Sequence, residues 1–201
     1  MQSRALAVDG AFEFTPRTFP DDRGLFVSPF QEAAFAESAG RRRFPVAQTN
    51  HSRSRRGVVR GIHYTVVPPG TAKYVYCARG SALDVVVDIR VGSPTYGRVE
   101  AVLMDQKDFR ASYIPIGAGH AFIALEDDTV MSYLLSQSYI AEKELSVSAL
   151  DPAIGLPIPA GVEPILSERD SKAPTLAEAE AAGLLPDYAS CLRFEEALWA
   201  G

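Results

Sequence analysis

The chain has three histidines, His51, His63 and His120, so an imidazole base working near neutral pH must be one of them. His63 follows Arg60-Gly61 in a strand-like run and adjoins the basic residues Arg53, Arg55, Arg56 and Arg60. A lone strand histidine is by default a hydrogen-bonded core or edge residue, so a proton-transfer role needs support from its surroundings. His120 follows the loop Gly117-Ala118-Gly119, a place from which a loop delivers side chains to the mouth of a sheet. Lys73 opens another strand-like run; buried beside a reacting oxygen it would stabilise developing negative charge, and solvated it would do little. Tyr133 and Tyr139 read first as core tyrosines with satisfied hydroxyls, and second as proton donors.

Strict alternation places Arg60 and His63 on opposite faces of their strand, which prevents both from touching one ligand. Gly61 between them can host a bulge that returns them to one face. Metal sites receive little support: there is no His-x-His or His-x-x-x-His pair, and no carboxylate stands near His63 or His120 in a recognisable ligand spacing. A G-x-G-x-x-G after a strand, a Walker-type loop and a G-x-S-x-G are all missing, which argues against nicotinamide, ATP and serine-hydrolase chemistry. Cys77 and Cys191 lack metal-ligand spacing and read as reduced packing residues.

With 201 residues, 47% hydrophobic and 22% charged, the chain has the composition of an average globular protein and the length for one well-filled core. A single domain is expected over 1–201. The net charge of −5 opposes nucleic-acid or membrane-surface binding, so an anionic ligand must be held by a local basic cluster. No stretch approaches the roughly 20 apolar residues that span a bilayer, and Met1 to Gly10 lacks a signal-peptide core. The expected location is the cytoplasm.

Residues 1–150 alternate short β-branched or aromatic runs with turn clusters. Strands are predicted at 57–66, 73–79, 82–90, 98–103, 111–116, 121–125 and 129–135, with turns such as Pro68-Pro69-Gly70 and Glu126-Asp127-Asp128 between them. That pattern predicts an all-β sandwich or barrel. In the third run Leu83, Val85, Val87 and Ile89 form an apolar face, and Asp84, Val86, Asp88 and Arg90 form a face that borders water or a polar pocket. Residues 151–201 begin as an irregular Pro-rich link. Helical signatures follow: Thr175 with Glu178 has the form of a capping box, Gly183 marks a stop, and Asp187 caps a helix ending near Trp199. These helices are expected to pack outside the sheets.

Several segments together carry a resemblance: Asp22-Arg23-Gly24, Gln48-Thr49-Asn50, Arg56 through Tyr64, Asp84 through Thr95, Gly119-His120-Ala121-Phe122, Asp151-Pro152 and Leu166 through Asp170. From Asp22 to about Pro174 the chain resembles the dTDP-4-dehydrorhamnose 3,5-epimerases and the related dTDP-4-keto-deoxysugar epimerases of antibiotic sugar pathways. The resemblance implies a cupin-type jelly roll, a homodimer with shared N-terminal strands, and no metal or other cofactor. By position it implies that His63 is the base, Asp170 its carboxylate partner, Tyr133 the acid on the other face of the sugar, and Lys73 the group holding the enolate oxygen. It further implies that Arg23, Gln48, Asn50, Arg60, His120, Glu144 and Arg169 contact nucleotide, diphosphate or sugar, with Tyr139 near a stacking position and Arg23 reaching the partner's site. Ser28 and Thr71 depart from the family, which often has glutamate and glutamine there.

The implied ligand is a dTDP-linked 4-keto-6-deoxy sugar, inverted at C5, C3 or both. The Tyr64 to Gly70 segment, the run Lys73 to Cys77 and the long C-terminal tail resemble members from antibiotic deoxysugar pathways more than the housekeeping rhamnose enzyme. On that likeness C5 inversion of a deoxygenated or modified 4-keto sugar is expected. Two other classes compete: a metal-dependent cupin oxygenase or isomerase, and a non-catalytic nucleotide-sugar binder. The joint presence of His63, Tyr133, Lys73 and Asp170 opposes the binder, which needs neither acid nor base.

Overall fold

A computed structural model describes residues 1–40 and 43–200. In chain order the strands are β1 (Gln2–Ala5), β2 (Phe12–Thr15), β3 (Thr18–Asp21), β4 (Gly24–Val27), β5 (Gln48–Ser54), β6 (Val59–Thr65) and β7 (Lys73–Arg79). There follow β8 (Ser81–Val87), β9 (Val99–Asp105), β10 (Ala111–Ile114), β11 (Gly119–Ala124), β12 (Thr129–Leu135) and β13 (Glu144–Ser146). The helices are α1 (Glu32–Ala39), α2 (Glu168–Ser171), α3 (Leu176–Ala181) and α4 (Tyr188–Ala200).

Two antiparallel sheets face each other in a cupin-like jelly-roll sandwich. One runs β1-β2-β10-β7-β12-β5 and the other β13-β6-β11-β8-β9. Each predicted strand is present, with ends shifted by a few residues as side-chain patterning leaves them. Strands β1 to β5, β13 and the short helices α1 and α2 were not anticipated: most are too brief to show a period, and β5 is made of polar residues.

Side-chain alternation divides the strands between three apolar layers. Val75, Cys77, Ala82, Val86, Val102, Met104, Phe122 and Met131 fill the space between the sheets. Behind the five-stranded sheet, Val59, Ile62, Tyr64, Val85, Val87 and Ile89 pack beneath the C-terminal link and Ala179 of α3. Behind the six-stranded sheet, Phe14, Tyr74 and Tyr113 pack on Phe35 of α1 and on Cys191 and Trp199 of α4. The expected place of the helices, outside the sheets, is therefore the observed one.

Local signals explain how the tail is built. Thr175 and Glu178 form the reciprocal capping box, Gly183 takes a left-handed φ of 66° after the last turn of α3, and Asp187 Oδ2 accepts from Ser190 N at the start of α4. The charged face of β8 splits in two. Asp84 enters the sandwich, whereas Asp88 and Arg90 are buried in a knot beyond the strand's end. Arg90 donates to both oxygens of Asp88, at 2.9 and 2.7 Å, and to Asp9 O at 2.8 Å. Ser93 and Thr95 hydroxyls donate to the same carboxylate, and Tyr188 of α4 lies 5.1 Å from the guanidinium. The Asp84-to-Thr95 segment thus owes much of its character to a structural knot.

Candidate active site

Where the apolar filling stops, the sandwich opens into a cavity of about 630 Å³, a volume suited to a ligand of nucleotide-sugar size. Asn50 and Ser52 enter from β5, Lys73 from β7, Tyr133 and Leu135 from β12; Arg60, His63 and Thr65 enter from β6, His120 and Phe122 from β11, and Glu144 from β13. Both sheets therefore contribute polar groups to one space.

Strand β6 departs from simple alternation. It pairs His63 with His120 and Arg60 with Phe122 on β11, so three steps on one strand meet two on the other. The surplus falls at Gly61 and Ile62. Val59, Ile62 and Tyr64 go to the outer core, and Arg60, His63 and Thr65 go to the cavity. Gly61 is required there: its φ is 128°, and a Cβ would stand 2.5 Å from His120 O. The bulge anticipated at this glycine is what returns Arg60 and His63 to one face.

Two of the cavity histidines, His63 and His120, have a carboxylate behind them. His63 Nε2 lies 2.7 Å from Asp170 Oδ1, and Asp170, on α2, is buried while the imidazole is partly open. Burial by itself raises the Asp170 pKa, but the His63 hydrogen bond and charge, the Ser167 hydroxyl and the Gly61 N–H outweigh it and hold the carboxyl below its ordinary value. His120 Nε2 lies 2.5 Å from Asp84 Oδ1. The second oxygen of Asp84 has no hydrogen-bond partner among the described residues. His51 borders the cavity, but its Nδ1 is engaged by Ser132 Oγ at 2.8 Å.

Lys73, nearly buried, pairs with Glu144 Oε1 at 3.1 Å, while Thr65 donates to the other oxygen at 2.8 Å. Burial raises the Glu144 pKa and Lys73, Thr65 and the His63 charge lower it, with a net fall. The Tyr133 hydroxyl has Ser52 Oγ as its neighbour at 3.2 Å, and its ring stands 6.2 Å from that of His120, edge to face. Burial pushes the phenol above its usual range; the Ser52 hydrogen bond and the Arg60 charge pull down, and the Asp84 charge pushes up.

Of the residues singled out from sequence, the cavity gathers Asn50, Arg60, His63, Lys73, His120, Tyr133, Tyr139, Glu144 and Arg169. Asp170 stands behind His63. Gln48 is one step back, donating to Asn50 Oδ1 at 2.7 Å and accepting from Tyr139 N at 2.9 Å. Arg23 is not brought to this cavity: it sits at the tip of the β3–β4 hairpin, exposed and paired with Asp21. His120 belongs to β11 itself rather than to the preceding loop. Sequence reasoning missed Ser52, Thr65 and Asp84 as partners of Tyr133, Glu144 and His120. The alternation of Asp84 with the apolar face of β8 was a usable signal, but serine and threonine in strands are too common to stand out. Among the described residues, no three His, Cys, Asp or Glu side chains converge as a metal-ligand group.

The family profile described as dTDP-4-dehydrorhamnose 3,5-epimerase matches residues 5–178. A dTDP-4-dehydrorhamnose 3,5-epimerase of Mycolicibacterium smegmatis is 52% identical over 98% of this chain and 97% of its own length. The crystal structure of ChmJ, a 3′-monoepimerase from Streptomyces bikiniensis in complex with dTDP-quinovose, matches with a TM-score of 0.93 and 46% identity, covering 98% of both chains. NovW, a 4-keto-6-deoxy sugar epimerase from the novobiocin biosynthetic gene cluster of Streptomyces spheroides, matches with a TM-score of 0.91 and 49% identity over 95% of each. With its jelly roll, its cavity between the sheets and this likeness over nearly its whole length, the chain belongs to the dTDP-4-dehydrorhamnose 3,5-epimerase family.

Proposed function

We propose that this chain inverts a carbon beside the ketone of a dTDP-linked 4-keto-6-deoxyhexose through an enolate, with no cofactor. One observation carries the reading: His63 from one sheet and Tyr133 from the other border the same cavity. A pyranose between them has a base on one face and an acid on the other.

The hydrogen next to the 4-ketone is acidified because its carbanion delocalises onto O4. His63 takes it on the ring nitrogen that Asp170 leaves free, and Asp170 fixes the ring and stabilises the imidazolium. Lys73 stabilises the negative charge on O4. Tyr133 then delivers a proton from the other face and is left as phenolate. Arg60 and Arg169 suit the diphosphate through charge-assisted hydrogen bonds, with His120, Asn50, Gln48 and Glu144 holding sugar or nucleotide. Tyr139, half exposed at the mouth, is placed to stack on a base.

In the same reading two chains pair and lend each other β3 and β4. Phe19, Leu25 and Phe26 on that hairpin are exposed, and Arg23, exposed at its tip and outside its own chain's cavity lining, serves the neighbour's. The proposed setting is a cytoplasmic deoxysugar pathway of the antibiotic type, on the likeness to NovW. No described helix is long and apolar enough to cross a membrane. The names of the M. smegmatis relative and ChmJ both include position 3, which supports inversion at C3, with or without the C5 inversion favoured by the sequence.

The test is incubation with dTDP-4-keto-6-deoxyglucose in deuterated water, followed by NMR. Label at C3, C5 or both, with the matching epimer, supports the reading and settles the regiochemistry. Bound substrate that takes up no label at either carbon overturns it, as does activity that depends on a stoichiometric transition metal.

A further inference from the structure

The proposed mechanism leaves Tyr133 as a phenolate in a buried place, and burial disfavours that charge. Something must stabilise it. Ser52 is the side chain that hydrogen-bonds the Tyr133 oxygen, at 3.2 Å. It sits on β5, opposite Met131 and diagonal to Tyr133 on β12, a separation that a tyrosine side chain spans. Next on the same face, Ser54 Oγ accepts from Arg60 Nε at 3.2 Å, which tethers a guanidinium whose charge also favours the phenolate.

While Tyr133 is protonated, either hydroxyl can donate to the other. After the phenol has given up its proton only Ser52 can donate, because a phenolate has no hydrogen. That bond becomes charge-assisted in the state that follows proton delivery. It also fixes the phenol oxygen at the edge of the six-stranded sheet, facing the cavity.

We propose that Ser52 is the positioning residue for Tyr133: it aims the phenol and donates to the phenolate, so it supports the second proton transfer and not the first. This rests on the epimerase reading above. His63 stands on β6 of the other sheet and Asp170 on α2, and their hydrogen bond does not involve Ser52, so removal of a proton from the sugar proceeds without it.

The experiment compares wild type, Ser52→Ala and Ser52→Thr in deuterated water, measuring wash-in of solvent label and net inversion on the same sample. Ser52→Ala should keep wash-in within about twofold and lose about tenfold in inversion, the scale of one hydrogen bond to a charged group. Ser52→Thr should restore the wild-type ratio of inversion to wash-in. A merely structural loss would lower both rates together and leave the ratio alone; that result overturns the proposal, as does an alanine variant with both rates unchanged or a ratio that threonine does not restore. A wild-type protein that neither exchanges nor inverts would instead overturn the epimerase reading on which the proposal rests.

Discussion

His63 and His120 are register partners across β6 and β11, and their rings are backed from different directions, His63 by Asp170 on a helix and His120 by Asp84 inside the sandwich. Adjacent imidazoles therefore have different surroundings: one partly open with its carboxylate well satisfied, the other nearly buried beside a carboxylate with a free oxygen. The open one is proposed to move protons and the buried one to hold ligand. Variants separate these duties.

His63→Ala should reduce deuterium wash-in by at least about 100-fold, the lower range for losing a positioned general base. Binding of dTDP, measured by calorimetry, should change little. A variant that still exchanges at the wild-type rate would remove His63 from the base role.

Tyr133→Phe removes the proposed acid and leaves the proposed base. Wash-in should persist while inversion falls by about 100-fold. Substantial epimer formation by this variant would count against the acid assignment.

Lys73→Met takes away the cation opposite Glu144 and the proposed support for O4. Loss of one such donor slows the chemical step by about 100-fold or more, and wash-in and inversion should fall together because both pass through the enolate. If only KM rises, Lys73 serves binding and not the enolate.

Asp170, Glu144 and Asp88 are all held below the ordinary carboxylate value, each against a burial effect that acts upward. A carboxyl depressed in the folded chain contributes stability that is present above its unfolded pKa and is lost as pH falls through its folded pKa. The urea midpoint should therefore hold between about pH 7 and 5 and decline below about pH 4, where unfolded carboxylates protonate. A midpoint that rises on acidification would contradict the sign.

Arg90→Leu strands the Asp88 carboxylate in the interior, where breaking one side of a buried pair costs about 3 to 5 kcal/mol. Urea denaturation checks this, and Asp88→Asn combined with Arg90→Leu should recover part of the loss. A single variant within about 0.5 kcal/mol of wild type would show that the knot contributes little.

The middle of the fold was readable from sequence because β6 to β12 alternate strongly and are separated by turn residues. The N-terminal strands were not readable, since β1, β3 and β4 are short and largely exposed and show no buried face. The site was legible where a residue type is rare, as with three histidines, or where the resemblance named a position. Its supporting hydroxyls depended on register between β5 and β12 and between β6 and β13, which composition does not encode. The Gly61 bulge was foreseeable because Arg60 and His63 could share a ligand only if alternation failed between them.

Helix α4 borders no part of the cavity, yet Glu195 accepts from Ile116 N at 2.7 Å, Tyr188 donates to Asp9, and Val91 bonds with the chain on both sides of Asp187. The helix thus braces the turn that feeds directly into His120. Trimming the carboxyl-terminal end would loosen the proposed site from outside, leaving every group assigned to the sugar in the chain but letting the ring beside His63 drift out of line.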